Sequence, residues 1–198
     1  MITGALGAIN KRSIRRLISY LIVCHIGYLI AGLGLYTELA IVGVVFYLIH
    51  DVIVKSNILM ITGIIQKIRE TIDMTRLGGL GKDYPKFSFL AAIALFSLVG
   101  IPPLSGFWPK IQFFGESLKA GEYFLLGTFI VASFVTLFVI ARMWSEVFWK
   151  ESPKPLTEEI DHFANLNFWK KFALIAPIAF LAFVSLYIGF NAESVYEV

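Results

Sequence analysis

Charged side chains are scarce in this sequence, and cysteine is almost absent. Asp, Glu, Lys and Arg make up 16% of the 198 residues, whereas 58% are hydrophobic and the mean hydropathy is +0.77. So little charge and so much apolar sequence exclude an ordinary soluble domain and predict an all-α, polytopic membrane protein. The one cysteine, Cys24, excludes an internal disulfide framework.

The sequence also lacks the motifs of the common enzyme classes. It has no phosphate-binding loop and no nucleophile elbow, and the adjacent Cys24 and His25 fall short of the four ligands of a structural zinc site. The glycines of residues 78–81 do not fit a dinucleotide-binding fingerprint, and the basic loops lack the context of a nucleic-acid-binding fold. We therefore expect no catalytic residue, cofactor or metal in this chain, and no nucleic acid as a partner.

Apolar runs divide the chain into one partial and five full membrane spans. Residues 1–9 are typical of the end of a span whose beginning is missing, and they lack the basic region of a signal peptide. Thr37 is a predicted N-cap, and residues 158–166 are a candidate interfacial helix. No internal repeat or soluble domain is visible, so residues 1–198 are predicted to form a single membrane domain. The predicted full spans are residues 17–35, 39–65, 87–117, 123–149 and 172–190.

The span at 87–117 cannot be one continuous helix. Its middle holds prolines and glycines that interrupt helical hydrogen bonding, so we predict two half-helices joined by an unwound segment between Gly100 and Gly106. Unpaired backbone at membrane depth is tolerated where it is buried in protein or lines a wet cavity. Lys110 is predicted two turns into the half-helix that follows Pro102 and Pro103, too far from either end to reach the surface, which indicates an ion path. The alternative is a lysine that pairs with another buried group for stability alone.

Three more ionisable side chains lie close together in the span at 39–65. Asp51 and Lys55 are four residues apart on one helix face and can pair, and His50 can titrate near neutral pH. A charge at membrane depth costs about 2.5–3.5 kcal/mol on insertion scales, so these residues are expected to have a structural or functional role. They form either a proton relay or a buried ion pair that only joins two helices. His25, in the preceding span, belongs either to that relay or to a hydrogen bond across a helix interface.

Polar and aromatic residues near the span ends have simpler interpretations. Arg142 and Glu146 are four residues apart and are predicted to form an interfacial salt bridge. Glu116 and Glu122 are predicted to be solvated, and either could mark an exit for ions. Aromatic side chains favour the headgroup zone, which is the predicted position of Trp144, Trp149, Trp169 and Tyr187.

Basic residues are concentrated in alternate loops. The loops at 11–16, 66–86 and 150–171 hold four, five and four Lys or Arg residues, which is 13 of the 17 in the chain, whereas the opposite loops hold only Lys119. By the positive-inside rule, these three loops face the cytoplasm. The C-terminus is then predicted to lie outside.

Four stretches, taken together, resemble a known family. They are SIRRLISY…HIGY at 13–28, YLIHDVIVK at 47–55, GGL at 78–80 and GIPPLSGFWPK at 100–110. In this order they resemble the antiporter-like proton-pumping subunits, which include the large membrane-arm subunits of respiratory complex I, the membrane-bound hydrogenases and the Mrp-type Na⁺/H⁺ antiporters. The HD…K pattern of the second full span and FWK at 148–150 look most like the D subunit of the Mrp type.

The resemblance implies a fold of 14 helices with two inverted five-helix repeats, each containing one broken helix. This chain would be the second repeat, from the end of helix 9 to helix 14, in the C-terminal part of a larger subunit. By motif match, His50 is the central histidine of helix 11, and Lys110 is the helix-12 residue that ends the relay near the outer exit. Lys55 and His25 match polar positions along the hydrated axis, with Asp51 as the partner of Lys55. The family's essential glutamate of helix 5 and lysines of helices 7 and 8 belong upstream of this chain.

The predicted function is proton translocation across the cytoplasmic membrane of a prokaryote, within a multisubunit cation/proton antiporter. Sodium is a further candidate ion. One alternative is the pumping module of a redox-driven complex of the hydrogenase or NADH:quinone oxidoreductase type, and another is a scaffold subunit that does not transport. A scaffold gives no reason to keep Lys110 beside a broken helix. The expected partners are the lipid bilayer, other membrane subunits, and a chain or segment that carries the missing N-terminal helices.

Overall fold

Eight α-helices make up most of the described chain. A computed structural model describes residues 1–152 and 161–192, and its helices are α1 Ile2–Ile9, α2 Ile14–Gly34, α3 Glu38–Arg69, α4 Leu80–Asp83, α5 Pro85–Val99, α6 Phe107–Lys119, α7 Tyr123–Trp144 and α8 Phe168–Phe190. A 3-10 turn at Met74–Arg76 and a π-helical turn at Ser145–Trp149 complete the regular structure, and these ranges contain no β-strand. The helices α2, α3, α7 with its π turn, and α8 are long and apolar enough to cross a membrane. The predicted all-α membrane fold is therefore confirmed.

α3 is the longest of these helices, and its two ends have local causes. At the start, the Thr37 hydroxyl accepts a hydrogen bond from the Ala40 amide at 3.2 Å, so the predicted N-cap is confirmed. The helix continues past the predicted end because Lys67 and Arg69 interact favourably with the negative C-terminal end, and it stops where Glu70 adopts φ 56°. Its 32 residues span about 48 Å at 1.5 Å per residue. This length exceeds the roughly 30 Å hydrocarbon core of a bilayer.

The predicted break separates α5 from α6. α5 ends at Val99 and is capped by Gly100, whose φ of 87° favours glycine. The amides of Gly100 and Ile101 both donate to the Phe96 carbonyl, at 3.0 and 3.2 Å. α6 begins at Phe107, so residues 100–106 lie outside any helix. Lys110 is the fourth residue of α6 and lies in its first turn. The prediction that it lies two turns into the half-helix was wrong, because α6 begins at Phe107 and not directly after Pro103.

The salt bridge predicted near the end of α7 was wrong. Arg142 does not pair with Glu146 but donates a hydrogen bond to the Ile9 carbonyl at the end of α1, where the last carbonyls lack helical partners. Glu146 lies in the π-helical turn, which changes the helical register, and it accepts from Lys150 at 3.0 Å instead. The headgroup position of the four aromatic side chains stays a prediction. The Trp144 ring is stacked on that of Phe148 with 4.3 Å between the ring centroids, and the side chains of Trp149, Trp169 and Tyr187 are exposed.

The candidate interfacial helix at 158–166 is not a helix in its described part. Residues 158–160 lie outside the described residues, and residues 161–166 form turns. Two hydrogen bonds fix the turn at Asp161: the Tyr84 hydroxyl donates to its carboxylate at 2.5 Å, and the Ala164 amide donates at 2.9 Å. The Asp161 side chain thus takes up an amide that a continuing helix would pair within its own backbone.

α3 lies at the centre of the bundle, in contact with α2, α5, α6 and α8. Two apolar clusters pack along it. One contains Val44 and Tyr47 of α3, and the other begins at Val54 and continues towards the α3 C-terminus. His50 and Asp51 fall between these clusters, so these two polar residues lie in a layer between two apolar ones. Large apolar side chains elsewhere face outwards, such as Phe124 at 89% exposure, as expected of a surface in contact with lipid.

Candidate ion pathway

A buried cluster of three ionisable side chains joins α2 to α3. The Asp51 carboxylate accepts from the Lys55 ammonium at 2.5 Å and from His25 Nδ1 at 2.7 Å, one partner for each oxygen. An ionised carboxylate can only accept, so the proton of this histidine contact is on Nδ1. All three side chains are buried. The predicted pair of Asp51 and Lys55 is present, and His25 belongs to the same cluster by a hydrogen bond across the helix interface.

His50 lies against the break between α5 and α6. Its Nδ1 is 2.7 Å from the Ser105 hydroxyl, which is in turn hydrogen-bonded to two further serines. Ser97 of α5 and Ser185 of α8 close this triangle, with oxygen–oxygen distances of 2.8–3.0 Å. All three hydroxyls are buried, and they connect the histidine on α3 to α5, to the break and to α8.

Gly106 allows this close approach. A Cβ at that position would lie 2.1 Å from the Ser97 carbonyl oxygen and 2.9 Å from the His50 ring, both inside van der Waals contact. No other residue fits without moving the backbone or the imidazole. The sequence pattern identified Gly106 as a helix breaker, and the structure adds that it is the surface on which the His50 ring packs.

Lys110 is held by backbone carbonyls rather than by a carboxylate. Its ammonium donates to the Val99 carbonyl at 2.6 Å and to the Leu98 carbonyl at 3.3 Å. These are carbonyls at the C-terminal end of α5, where helical partners run out and the helix dipole favours a cation. The ammonium also lies 5.8 Å from the centroid of the Tyr28 ring, within range of a cation–π contact. The lysine is 4% exposed, so these contacts with the two carbonyls and the Tyr28 ring replace nearly all of its hydration.

Tyr47 lies between the two histidines and was not among the predicted site residues. Its ring centroid is 5.6 Å from that of His25 and 5.8 Å from that of His50. Within the described part of the chain, the Tyr47 hydroxyl and the Nε2 atoms of both histidines are buried without a protein partner. Buried polar atoms are normally satisfied, if not by protein then by ordered water. An aromatic residue three positions before a histidine on the same helix was the only sequence signal for this contact.

Glu116 was predicted to be solvated, and this prediction was wrong. The carboxylate at the end of α6 is 4% exposed and accepts from the Thr37 hydroxyl at 2.6 Å and from Lys119 at 2.9 Å. The second half-helix and the start of α3 meet here, and Thr37 both caps α3 and covers the carboxylate. Glu122 is exposed, as predicted.

The structure thus brings the predicted residues into three groups. The first is the cluster around Asp51, the second is His50 with its serines, and the third is Lys110 on the end of α5. No direct hydrogen bond joins one group to the next among the described residues. Each group contains a side chain that can bind and release a proton, and the groups lie on adjoining elements at the centre of the bundle. In residues 1–152 and 161–192, no cluster of His, Cys, Asp and Glu could hold a metal ion.

Comparison with known proteins places the chain in a family. The family described as "NADH:quinone oxidoreductase/Mrp antiporter, TM" matches residues 1–136. The D subunit of the Na⁺/H⁺ antiporter of Alkalihalophilus pseudofirmus is 34% identical over the whole of this chain and 38% of its own length. The D subunit of the Na⁺/H⁺ antiporter of Bacillus subtilis is 29% identical over 98% of this chain and 38% of its own length. The chain therefore spans about two fifths of the length of these relatives.

Solved structures show the same fold. A chain of the Mrp complex from Dietzia superposes with a TM-score of 0.81 at 25% identity, over 97% of this chain and 42% of its own length. A chain of respiratory complex I from Thermus thermophilus superposes with a TM-score of 0.80 at 19% identity, over 98% of this chain and 40% of its own length, and this likeness concerns the fold alone. With its sequence match over 136 of 198 residues and a 34% identical relative along its full length, the chain belongs to the NADH:quinone oxidoreductase/Mrp antiporter transmembrane family.

Proposed function

We propose that this chain forms one proton-conducting part of a multisubunit cation/proton antiporter of the Mrp type. The observation that carries the proposal is the series of three buried proton-binding groups that leads from α2 and α3 to the break between α5 and α6. Ionisable side chains inside a membrane are costly, and those that are kept commonly mark ion pathways or proton relays. The two relatives are both named as D subunits of Na⁺/H⁺ antiporters, which supports antiport over other forms of ion transport.

The first step takes place around Asp51. A proton that reaches a neutral Lys55 makes a second cation beside the carboxylate, which until then neutralises a protonated His25 alone. The added positive charge weakens the hold of Asp51 on the His25 imidazolium and favours release of the proton on its Nε2. Because Asp51 has one oxygen for each partner, it can stay in place while the proton leaves His25 from the nitrogen on the opposite side of the ring.

The second step passes through His50 to Lys110. Water bound between the Tyr47 hydroxyl and the two histidine Nε2 atoms would carry the proton to His50, since these atoms have no protein partner in the described residues. Lys110 then receives a proton from His50 and is stabilised as an ammonium by the carbonyls of Val99 and Leu98. Loss of the proton to the far side then releases the amine from these carbonyls. Glu116, further along α6, is the candidate acceptor on that side.

We also propose where the chain belongs in the complete subunit. The broken helix and the full-length match to 38% of the relatives support the second inverted repeat, from the end of helix 9 to helix 14, as one membrane domain. A partner segment would supply the upstream charged residues of the first repeat. The concentration of 13 of 17 basic residues in alternate loops supports cytoplasmic basic loops and an outer C-terminus in a prokaryotic membrane. Sodium is the counter-ion that the names of the relatives suggest.

The redox-driven alternative rests on the similarity of this fold to subunits of redox complexes. The neighbours include complex I at 19% identity, as well as an archaeal membrane-bound sulfane sulfur reductase at 21%. The antiporter relatives reach 34% over the full chain, so antiport is the better supported of the two. Copurification separates them, because a redox complex would contain subunits that carry iron–sulfur or nickel centres, whereas an antiporter would contain small antiporter subunits and no such centres.

Lys110→Ala tests the proton path and the scaffold alternative together. In inverted membrane vesicles that contain the assembled complex, we expect Na⁺-dependent proton transport to fall roughly a hundredfold, the typical contribution of one positioned proton-transfer group. Lys86→Ala is the matched control, because it removes an exposed lysine at the start of α5 and should transport at the wild-type rate. An assembled Lys110→Ala complex with wild-type transport would leave the scaffold as the function of this chain.

A further inference from the structure

We propose that the turn between α1 and α2 holds the headgroup of an anionic phospholipid. This turn borders a cavity of about 360 Å³ that is separate from the ion pathway. It belongs to the basic side of the molecule, where the helices end and the bilayer headgroups begin. The cavity is lined by Asn10, Lys11, Arg12, Ser13, Arg16 and Asp73.

The charges of the cavity suit a phosphate group. Three cations, Lys11, Arg12 and Arg16, face one carboxylate, that of Asp73, which gives a net charge of +2. Hydrogen bonds from the Thr75 hydroxyl and amide, at 2.8 and 3.0 Å, lower the pKa of Asp73, so its negative charge persists at neutral pH. The cavity as a whole still attracts anions, because three cations outweigh one carboxylate. The charges therefore indicate a phosphate site, and the surface beside the cavity indicates where the phosphate comes from.

The backbone around the cavity is fixed in place. The Ile14 amide donates to the Ile72 carbonyl at 3.1 Å, and the Met74 amide donates to the Arg12 carbonyl at 2.8 Å. These two hydrogen bonds tie the α1–α2 turn to the segment after α3, on either side of the contact between Ser13 and Asp73. The basic side chains thus project from a preorganised frame rather than from a flexible loop, which lowers the entropy lost on binding.

The surface next to the cavity is apolar and faces outwards, which identifies the source of the phosphate as lipid. The Lys11 ammonium lies 4.6 Å from the centroid of the Tyr20 ring, and this ring is seated on Gly7 of α1. Tyrosine favours the boundary between headgroups and acyl chains. Leu6 on α1 and Val23 on α2 are each 53% exposed and extend the apolar surface towards the membrane interior. A phosphodiester in the cavity can therefore continue into acyl chains along α1 and α2.

The proposal predicts a specific affinity for phosphatidylglycerol in the membrane complex that contains this chain. We would purify the complex in detergent, titrate it with phosphatidylglycerol or phosphatidylcholine, and measure retained lipid by native mass spectrometry. Removing two cations as Arg12→Gln/Arg16→Gln should weaken phosphatidylglycerol binding about twenty-fivefold, at about a fivefold loss for each basic residue. Binding of phosphatidylcholine should not change.

The control removes the same charge from the same side of the membrane. Arg15 and Lys67 do not line the cavity, and Arg15 is instead hydrogen-bonded to Gln66 at 2.8 Å. Arg15→Gln/Lys67→Gln should bind phosphatidylglycerol within a few-fold of the wild type. Equal losses in both double variants would mean diffuse attraction by the basic surface and would overturn the proposal. Displacement of phosphatidylglycerol by millimolar inorganic phosphate would also overturn it, because the cavity would then be a site for free anions.

Discussion

Asp51 is the residue on which the first part of the pathway depends. Its carboxylate is in contact with both His25 and Lys55, and the residue is 8% exposed. A buried charge that loses its partner is left without either water or a counter-ion. The same geometry therefore makes Asp51 necessary for stability and for proton transfer, and an experiment has to separate these two roles.

Asp51→Asn should destabilise the chain by about 3–5 kcal/mol, because it leaves the Lys55 ammonium buried without a counter-charge. Thermal unfolding of the purified complex measures this loss. The double variant Asp51→Asn/Lys55→Met removes both charges and should recover most of the stability, yet it should still fail to transport protons in vesicles. Recovery of transport along with stability would mean that the pair serves only to join helices.

The break between α5 and α6 is the element that gives Lys110 its surroundings. If α5 continued without interruption, the carbonyls of Leu98 and Val99 would be paired within the helix and could not accept from an ammonium. Gly100 ends α5 in a left-handed conformation, and Ser105 and Gly106 return the chain against His50. α8 supports the break from the other side, since Ser185 joins the serine triangle and the Gly189 carbonyl accepts from Trp108 at 2.8 Å.

Gly106→Ala tests this element with a single methyl group. The added Cβ would lie 2.1 Å from the Ser97 carbonyl oxygen, so either the break or the His50 ring has to move. We expect proton transport in vesicles to fall by at least about tenfold, since a displacement near 1 Å can cost a hundredfold in positioned chemistry. Gly115→Ala on α6 is the matched control, because no atom lies within 4 Å of its added Cβ, and it should transport normally. Equal rates for the two variants would contradict the role assigned to the break.

Across the whole molecule, the features that could be predicted from the sequence are those with a local cause. The helix break follows from its own glycines and prolines, the α3 N-cap from Thr37, and the pairing of Asp51 with Lys55 from their spacing. The features that could not be predicted depend on contacts between distant segments. The serine triangle joins residues up to 88 positions apart, and Thr37 covers Glu116 from 79 positions away. Arg142 reaches the end of α1, 133 positions earlier, because the bundle places that end beside it.

The orientation of the whole molecule in the membrane is the remaining prediction, and the chain offers a direct test. Cys24 is its only cysteine and is fully buried, so Cys24→Ala gives a background for labelling. Arg76 and Glu122 are both exposed, in a basic loop and in an opposite loop. If the basic loops are cytoplasmic, Arg76→Cys reacts with a membrane-impermeant maleimide in inverted vesicles only, and Glu122→Cys reacts in right-side-out vesicles only. The opposite pattern would reverse the direction of the proposed pathway, placing Glu116 on the cytoplasmic side and the lipid cavity in the outer leaflet.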